Sequence, residues 1–281
     1  MNSHRPGRSY DGFADLEFIN RSGKTVLTKR MREGNSRISS LIPTLDGTPL
    51  YFLVATGGGY IEGEQYYQQI TMQEQTHAIL TSQAPNYIFK CEHDQWTKQS
   101  NHLILKDDAF LEYYMDEVIP YENALFRQET RVDMKKGARL VLTDGITAGW
   151  SQDTLPFTFK EVDLKTQIYM DNELIFNDFL ITQPKKTNLE EFGYFEGYSN
   201  FNSLVIIDEN YDEAWLTDIR NTLATSETDS IYGLSSLESS GFVMRVLGNS
   251  SYANRKLIWQ VIHHYREQVY DHEHLELRKT Y

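Results

Sequence analysis

The stretch of sequence that decides the fold runs Leu50-Tyr-Phe-Leu-Val-Ala-Thr-Gly-Gly-Gly-Tyr-Ile-Glu-Gly-Glu-Gln-Tyr-Tyr67. It opens with an apolar run of strand length and closes with polar residues that alternate with apolar or aromatic ones. Between the two predicted strands, several glycines surround Glu62 and Glu64. Glycine adopts backbone conformations with positive φ that other residues avoid, so residues 57–64, here called the glycine bend, are predicted to connect two strands.

The glycine bend contains more glycine than a chain reversal needs, because a tight turn uses only one or two. The surplus predicts a place where another backbone or an ion comes close. Glu62 and Glu64 are two residues apart, so on an extended chain they project from the same side and a cation could bind both. A solvated turn is the alternative. A phosphate-binding loop is not favoured, since no Gly-Lys-Ser/Thr follows and no βαβ unit surrounds the glycines.

Composition is that of a globular protein and limits the possible partners. The 281 residues are 40% hydrophobic and 24% charged, with a formal net charge of −13. Such an acidic surface repels nucleic acid and suits either a cationic or metal partner or simple solubility. Cys91 is the only cysteine, which excludes an internal disulfide and a cysteine-rich zinc site. No signal peptide and no apolar run of about 20 residues is visible, so a cytoplasmic protein without membrane contact is predicted.

Short strands recur along most of the chain. Turn residues separate them at even spacing, and aromatic residues make up 13% of the sequence, as is typical of β proteins. Hairpins are predicted around Arg21-Ser-Gly-Lys24 and around Asp171-Asn172. Helical spacing appears late, over residues 209–224 and from Tyr252 onward. The predicted fold is all-β dominated, a single large antiparallel or β-helix-like stack of sheets with two α-helices in the C-terminal third.

The chain is predicted to form one domain over residues 1–281. No linker, low-complexity tract or fixed-period repeat interrupts the sequence. A chain of this length can bury about three quarters of its unfolded surface, which is enough for one large core. Residues 1–12 are polar and predicted to be frayed, and residues 271–281 are predicted to be a polar tail.

Catalytic signatures are absent from the sequence. It contains no Gly-x-Ser-x-Gly elbow and no His-Glu-x-x-His pair, and an acid–base pair cannot be chosen among its many carboxylates. Cys91 and His93 could share one side of a strand end and hold a soft metal, with a polar loop as the alternative. Two other classes stay open: a carbohydrate-binding or other β-rich interaction module, favoured by the aromatic residues, and a hydrolase with two facing buried carboxylates.

Three blocks in the first half of the chain form a recognisable set. The first is Gly58-Gly-Tyr-Ile-Glu-Gly-Glu-Gln65, and the second is Leu80-Thr-Ser-Gln-Ala-Pro-Asn-Tyr-Ile-Phe-Lys90. The third is Leu111-Glu-Tyr-Tyr114, followed by Ile119-Pro-Tyr121 and Phe126-Arg-Gln-Glu-Thr-Arg-Val-Asp133. Read in this order, the blocks resemble the urease accessory protein UreD family, called UreH in some bacteria.

The resemblance covers residues 13–185 well and rests on general layout beyond them. Glu64 stands where the family usually has aspartate and keeps the charge on a longer arm. Gln65 replaces an arginine, so any salt bridge made by that arginine is absent. Tyr87 stands where lysine is often found, and a Gly-Glu pair is replaced at Thr154-Leu155, so no role is carried over for that glutamate.

The resemblance implies a non-enzymatic chaperone with an open β-helical stack and a couple of helices. Family members bind apo-urease and recruit UreF, which in turn recruits UreG, the GTPase that delivers nickel. The resemblance further implies that nickel passes through an internal channel of UreF and UreD to the urease active site. No tightly bound cofactor is therefore expected, only transient nickel, because a conducting path must also release its ion.

Two sets of residues are expected to carry this role. The carboxylates predicted to line or gate the nickel path are Glu62, Glu64, Glu112 and Asp144. Motif position motivates the choice of Glu64, and carboxylate chemistry motivates the others. The residues predicted to contact UreF near the C-terminus are Tyr265, Tyr270 and His272. Aromatic side chains suit a protein interface, and packing on the chain's own β body is the alternative.

Overall fold

Two β-sheets stack face to face in the computed structural model, which describes residues 9–238, 240–270, 272, 274–277 and 279, without the side chains of residues 269 and 270. The described strands, in chain order, are β1 (Gly12–Arg21), β2 (Lys24–Gly34), β3 (Ser36–Ile38), β4 (Leu50–Ala55), β5 (Gln65–Met72), β6 (His77–Ser82), β7 (Asn86–Ile88), β8 (Thr97–Leu105), β9 (Phe110–Tyr114), β10 (Val118–Pro120), β11 (Leu125–Met134), β12 (Arg139–Thr147), β13 (Glu161–Met170), β14 (Glu173–Thr182), β15 (Asn200–Ile207), β16 (Ile231–Ser236) and β17 (Gly241–Gly248). The described helices are α1 (Glu213–Ala224) and α2 (Ser251–Tyr270).

The chain coils between the two sheets, so that strands in its middle part lie in one sheet and then in the other. The seven-stranded sheet has the order β14-β13-β11-β8-β5-β1-β2. The ten-stranded sheet has the order β16-β17-β15-β12-β9-β6-β4-β3, with β10 and β7 beside β12. The predicted β-dominated, β-helix-like stack with two late helices is confirmed.

Strand direction follows from this coiling. Between two neighbouring strands in the middle of a sheet, the chain passes through the other sheet and returns. Both strands therefore run in the same direction, and β5–β8 and β6–β9 are parallel. Antiparallel pairs lie towards the ends of the sheets, as in β1–β2 and β13–β14. Of the two predicted arrangements, the antiparallel one therefore holds only on either side of the parallel middle of each sheet.

Both predicted hairpin turns are confirmed. Ser22 and Gly23, between β1 and β2, have φ angles of 52° and 81°, and Asp171 and Asn172, between β13 and β14, have φ angles of 48° and 71°. Two successive residues with positive φ form the turn whose twist matches that of the flanking strands. These hairpins close opposite ends of the seven-stranded sheet.

Among the described residues, apolar side chains pack in three clusters. The central cluster lies between the sheets and joins residues such as Ile70 and Leu103 to Leu80 and Leu142. The end cluster, built around Phe126, also lies between the sheets. The helix cluster lies on the outer face of the ten-stranded sheet, beneath α1 and α2. Burial of these apolar faces is the main force that holds the layers together.

The two helices are placed by their apolar stripes. The side chain of Asp212 caps α1, accepting a hydrogen bond from Ala214 N at 2.9 Å, so the helix begins later than its apolar spacing predicts. Its buried residues are Leu216, Ile219 and Leu223. Within the described part of the chain, neither helix has the length and apolar character of a membrane span.

Candidate functional site

A layer of polar side chains crosses the interior of the sandwich between the central cluster and the end cluster. Its members on the seven-stranded sheet occupy two neighbouring rows, Tyr66, Gln99 and Gln128 in one and Gln68, Asn101, Thr130 and Thr166 in the other. Its members on the ten-stranded sheet are Tyr113, Asp144 and Ser203. We call this set the interior polar layer. Buried polar groups cost free energy unless they find partners, so their contacts decide whether the layer is tolerated.

Hydrogen bonds run along the layer on the seven-stranded sheet. The hydroxyl of Tyr60 donates to Gln99 Oε1 at 2.9 Å, and Gln99 Nε2 donates to Asn101 Oδ1 at 3.0 Å. Asn101 Nδ2 continues the chain to Thr130 Oγ1 at 3.0 Å. The result is a continuous buried row of amide and hydroxyl groups across two strands, β8 and β11, and the bend.

Two further members of the layer on the seven-stranded sheet, Gln68 and Gln128, form hydrogen bonds with the facing sheet. The hydroxyl of Tyr113 donates to Gln68 Oε1 at 3.0 Å. Gln128 Nε2 donates to Asp144 Oδ2 at 2.9 Å. The polar layer is therefore shared by both sheets, and it presents oxygen atoms of amides, hydroxyls and one carboxylate to the interior.

Glu64 lies at the end of the layer next to the glycine bend. Its Oε2 accepts hydrogen bonds from Ile61 N at 3.0 Å and from the hydroxyl of Tyr66 at 2.8 Å, and its Oε1 accepts from Asn35 Nδ2 at 3.1 Å. The ring of Tyr66 stacks on that of Tyr60 with 3.7 Å between centroids. Contacts thus continue from the Glu64 carboxylate through two tyrosines into the layer.

The glycine bend carries the chain from β4 in the ten-stranded sheet to β5 in the seven-stranded sheet. Gly59 has a φ of 156°, and a Cβ there would lie 2.7 Å from Tyr87 O and from Phe89 Cε2. Gly63 has a φ of 82°, and a Cβ there would lie 2.9 Å from Gln95 Oε1. The predicted close approach of another backbone is therefore confirmed at Gly59.

Glu62 anchors the loop that follows β7. Its carboxylate accepts hydrogen bonds from the backbone N atoms of Glu92, His93 and Gln95 at 2.9, 2.7 and 3.0 Å. The backbone N–H of Gln95 contributes most to lowering the pKa of Glu62, which is about 2. The backbone N–H groups of Glu92 and His93 and the His93 ring lower it further. Glu62 and Glu64 therefore engage different partners.

Cys91 and His93 are not brought together. The thiol of Cys91 is buried, 3.4 Å from Gln95 O and 3.8 Å from Leu125 O, and burial raises its pKa. The side chain of His93 is 75% exposed. In the part of the chain that is described, no group of three or more His, Cys, Asp and Glu side chains is arranged to hold a metal ion.

Replacing Glu62 with alanine should expose Cys91 to modification. Without the carboxylate, the amides of the following loop lose a charged acceptor, so the loop opens more often. We expect the rate of Cys91 alkylation by N-ethylmaleimide to rise about tenfold, as local opening free energy falls. The matched control is Glu92→Ala, which removes an exposed carboxylate paired with Lys90. Equal rates in both variants would show that Glu62 does not anchor the loop.

Asp144 is the acidic member of the interior polar layer. Burial raises the pKa of Asp144 to about 7, although the hydrogen bond from Gly145 N lowers it. The nearby charge of Asp178 raises the pKa further. With Thr166 and Ser203 these two carboxylates line a cavity of about 20 Å³. Such a volume holds about one water-sized molecule and leaves no room for an organic substrate.

A second pocket reaches Asp144 from the side of the helices. Its volume is about 450 Å³, and we call it the portal pocket. Its lining includes Asp116 and Glu117 after β9, residues of α2, and the C-terminal residues Leu275, Leu277 and Lys279. Asp144 therefore borders both the small interior cavity and a pocket that opens to the surface.

Glu112 lies in an ion network beneath α2, on the face of β9 opposite the interior polar layer. Its carboxylate accepts hydrogen bonds from the guanidinium of Arg266, from His77 Nε2 at 2.7 Å and from the hydroxyl of Tyr114. Arg266 Nη2 also binds Asp46 Oδ2 at 2.6 Å. Glu112 is 0% exposed and Arg266 is 1% exposed. This carboxylate thus fastens α2 to the sheet.

The residues predicted to contact a partner lie at the end of α2 and beyond it. Tyr265 is 1% exposed, and its hydroxyl donates to Asp208 Oδ2 at 2.8 Å, so the chain's own residues cover its ring. His272 Nδ1 lies 3.0 Å from Asp46 Oδ2. The side chain of Tyr270 lies outside the described residues.

Sequence reasoning missed the amide side chains of the interior polar layer. In β8 the buried positions are Thr97, Gln99, Asn101, Leu103 and Leu105. In β11 the buried positions include Gln128 and Thr130 in the same phase as Val132. The signal in the sequence is a polar residue at positions of two strands where the alternation predicts buried apolar residues. Only the register of the strands shows that these polar residues are neighbours.

The sequence model of the family described as UreD urease accessory protein matches residues 10–280. A urease accessory protein UreD of Streptococcus thermophilus is 42% identical over 271 residues, which cover 96% of this chain and 97% of that protein. Its counterpart in Streptococcus salivarius is 41% identical over 97% of this chain and 98% of its own length. A urease accessory protein UreD of Lachnoclostridium phytofermentans is 30% identical over 86% of this chain and 89% of its own length.

Proposed function

This chain belongs to the UreD family of urease accessory proteins, and from that membership we propose that it guides nickel to apo-urease. It binds apo-urease and recruits UreF and, through UreF, the GTPase UreG. It works in the cytoplasm, binds nickel transiently and holds no tight cofactor. Its own side chains make and break no covalent bond, so it acts as a chaperone and conduit.

The interior polar layer is the observation that supports a route for nickel. It begins beside Glu64 at the glycine bend and ends at Asp144, which borders the portal pocket. The other two carboxylates expected on the path hold its surroundings in place. Glu62 fixes the loop beside the bend, and Glu112 fixes α2 over the ten-stranded sheet.

The chemistry of the layer suits a divalent cation in transit. Amide, hydroxyl and carboxylate oxygens are ligands for hard or borderline cations, and scattered along a path they bind weakly enough to release the ion. An uncompensated charge in a protein interior is costly, and a carboxylate at each end of the layer lowers that cost. Glu64 and Asp144 provide these charges.

Replacing Glu64 with glutamine should lower nickel loading of urease while UreF binding stays intact. The amide keeps the shape and an acceptor for Ile61 N but loses the negative charge. We expect the nickel content and activity of urease to fall roughly five- to tenfold, as when a charged contact becomes a neutral one. Urease would be matured with the variant in a urease-producing cell, and its nickel measured by mass spectrometry.

The matched control is Glu74→Gln, which neutralises an exposed carboxylate in the turn between β5 and β6. Both variants should capture UreF and apo-urease as the parent chain does. Unchanged nickel loading with Glu64→Gln would remove Glu64 from the route. Failure of the parent chain to capture either partner would contradict the proposed function as a whole.

A further inference from the structure

The strand β14 is an open edge of the seven-stranded sheet. Among the described strands it pairs with β13 on one side and with no strand on the other. It is 10 residues long, and its side chains Leu174, Phe179 and Ile181 are 46%, 48% and 45% exposed. A long edge strand with exposed apolar side chains presents its unpaired backbone groups to another strand.

The other edge of the same sheet, β2, is protected by charge. Its charged residues are Lys24, Lys29, Arg30, Arg32 and Glu33. Charged side chains on an edge strand, lysine above all, oppose pairing with a further strand. In contrast, β14 contains no lysine, arginine or proline, and its Asp178 pairs with Arg245 of β17 at 2.9 Å. The open edge at β14 therefore lacks the protection that β2 has.

An apolar groove lies beside the open edge. Its volume is about 520 Å³, and it lies between β14 and β16, the edge strand of the ten-stranded sheet. Phe179 and Ile181 line it from β14, Ile231 from β16 and Tyr194 from the segment that follows β14. Side chains alternate across a strand, so a strand added to β14 would place every second side chain over this groove. The edge thus offers both backbone hydrogen bonds and an apolar surface.

The two ends of β14 carry opposite charges. Glu173 begins the strand and is exposed, and Lys185 and Lys186 are exposed in the turn that follows it. In an antiparallel pair of identical strands, the beginning of each strand lies beside the end of the other. If Phe179 of one copy lies opposite Phe179 of a second, Glu173 of each copy lies beside Lys185 of the other. Cross-strand pairs of opposite charge stabilise such a ladder.

We propose that β14 is a dimerisation edge, on which a second copy of this chain pairs antiparallel and joins two seven-stranded sheets into one. Both copies use the same strand about a two-fold axis, as in an isologous interface. The charges at its ends favour a second copy as the occupant, because the antiparallel pair joins an acidic end to a basic end twice. The dimer does not depend on the nickel route, since neither Glu64 nor Asp144 lies in β14.

Analytical ultracentrifugation of the purified full-length chain would measure the dimer. One strand per copy makes a small interface, so we expect a dissociation constant of about 10 µM. Phe179→Lys should raise this constant about tenfold or more, because a lysine at the centre of the edge opposes pairing. The matched control is Met31→Lys, which places the same charge on β2 at a side chain that is 41% exposed. It should leave the dissociation constant within about twofold of the parent value.

Charge reversal tests the antiparallel pairing itself. Glu173→Lys puts like charges together at both ends of the paired strands, and so does the double variant Lys185→Glu with Lys186→Glu. Each variant alone should dimerise about tenfold more weakly than the parent. An equimolar mixture of the two should form dimers with an affinity close to that of the parent, because every contact then joins opposite charges. Glu33→Lys in β2 is the matched control and should dimerise as the parent does.

The outcomes separate a second copy from another occupant of the edge. A parent chain that stays monomeric at about 100 µM, well above the expected dissociation constant, would overturn the dimer. If Phe179→Lys then abolishes capture of UreF or apo-urease by that monomer, the edge belongs to that partner instead. A mixture of the two charge variants that dimerises no better than either alone would overturn the antiparallel pairing, and the recovered dimer would show that both variants fold.

Discussion

Replacing Arg266 with methionine should destabilise the protein by about 3–5 kcal/mol, the cost of removing one partner from a buried ion pair. Arg266 is 1% exposed and binds the carboxylates of both Glu112 and Asp46. Methionine replaces much of the volume but leaves the charge of Glu112 buried without the guanidinium that pairs with it. Urea unfolding followed by circular dichroism would measure the change in the free energy of unfolding.

The destabilisation should depend on pH. Burial raises the pKa of Glu112, but the hydrogen bonds and charges of His77 and Arg266 outweigh burial and hold the pKa below its ordinary value. A lowered carboxyl pKa contributes stability that is present above the unfolded value and is lost as pH falls through the folded value. Without Arg266 the pKa of Glu112 rises, so a proton can relieve the buried charge. The difference between variant and parent should therefore shrink from neutral pH towards about pH 5.

Two further variants separate the ion pair from general damage. Arg220→Met removes an exposed arginine of α1 that donates to Leu234 O, and it should cost less than about 1 kcal/mol. Adding Glu112→Gln to Arg266→Met should recover part of the loss, because the uncompensated charge is then gone. A cost below about 1 kcal/mol for Arg266→Met would contradict the role assigned to this network.

Local patterns in the sequence predict the local elements of this fold well. The turn Asp171-Asn172 and the glycine bend depend on neighbouring residues and appear where predicted, and α1 forms within its predicted range but begins later. The sequence is compatible with two alternatives for strand direction, because direction depends on how far along the chain the partner strand lies. The spacing of β5 and β8 is compatible with either arrangement until the coil between the sheets is known.

The same limit applies to the candidate site. Glu64 could be chosen from the sequence because it stands in a motif. The partner of Glu112 could not be predicted from the sequence, because Arg266 lies 154 residues further along the chain. The amides of Gln99 and Asn101 look unremarkable in sequence, and they gain meaning only when register places them beside Thr130 in a buried row. A site formed by one segment can be predicted from the sequence, whereas a site formed by side chains of several strands requires the structure.

Replacing Asp144 with asparagine should stabilise the fold and impair the route at the same time. The variant keeps the size of the side chain and removes a carboxylate whose ionisation in the interior is unfavourable. We expect a gain of about 1–3 kcal/mol at pH 8, the scale set by a pKa raised by a few units. We expect nickel loading of urease to fall about tenfold, because the layer then loses the charge beside the portal pocket.

The pH dependence distinguishes this gain from a general improvement in packing. Burial raises the pKa of Asp144 from 3.8 to about 7, so the folded state holds this proton more tightly than the unfolded chain does. The stability that the protonated carboxyl gives the parent is present below the unfolded value and is lost as pH rises through about 7. The advantage of Asp144→Asn should therefore be near zero at about pH 4 and reach its full size above about pH 7. A gain in stability that is independent of pH would show that ionisation of Asp144 does not destabilise the folded state. Unchanged nickel loading would exclude the charge of Asp144 from the route.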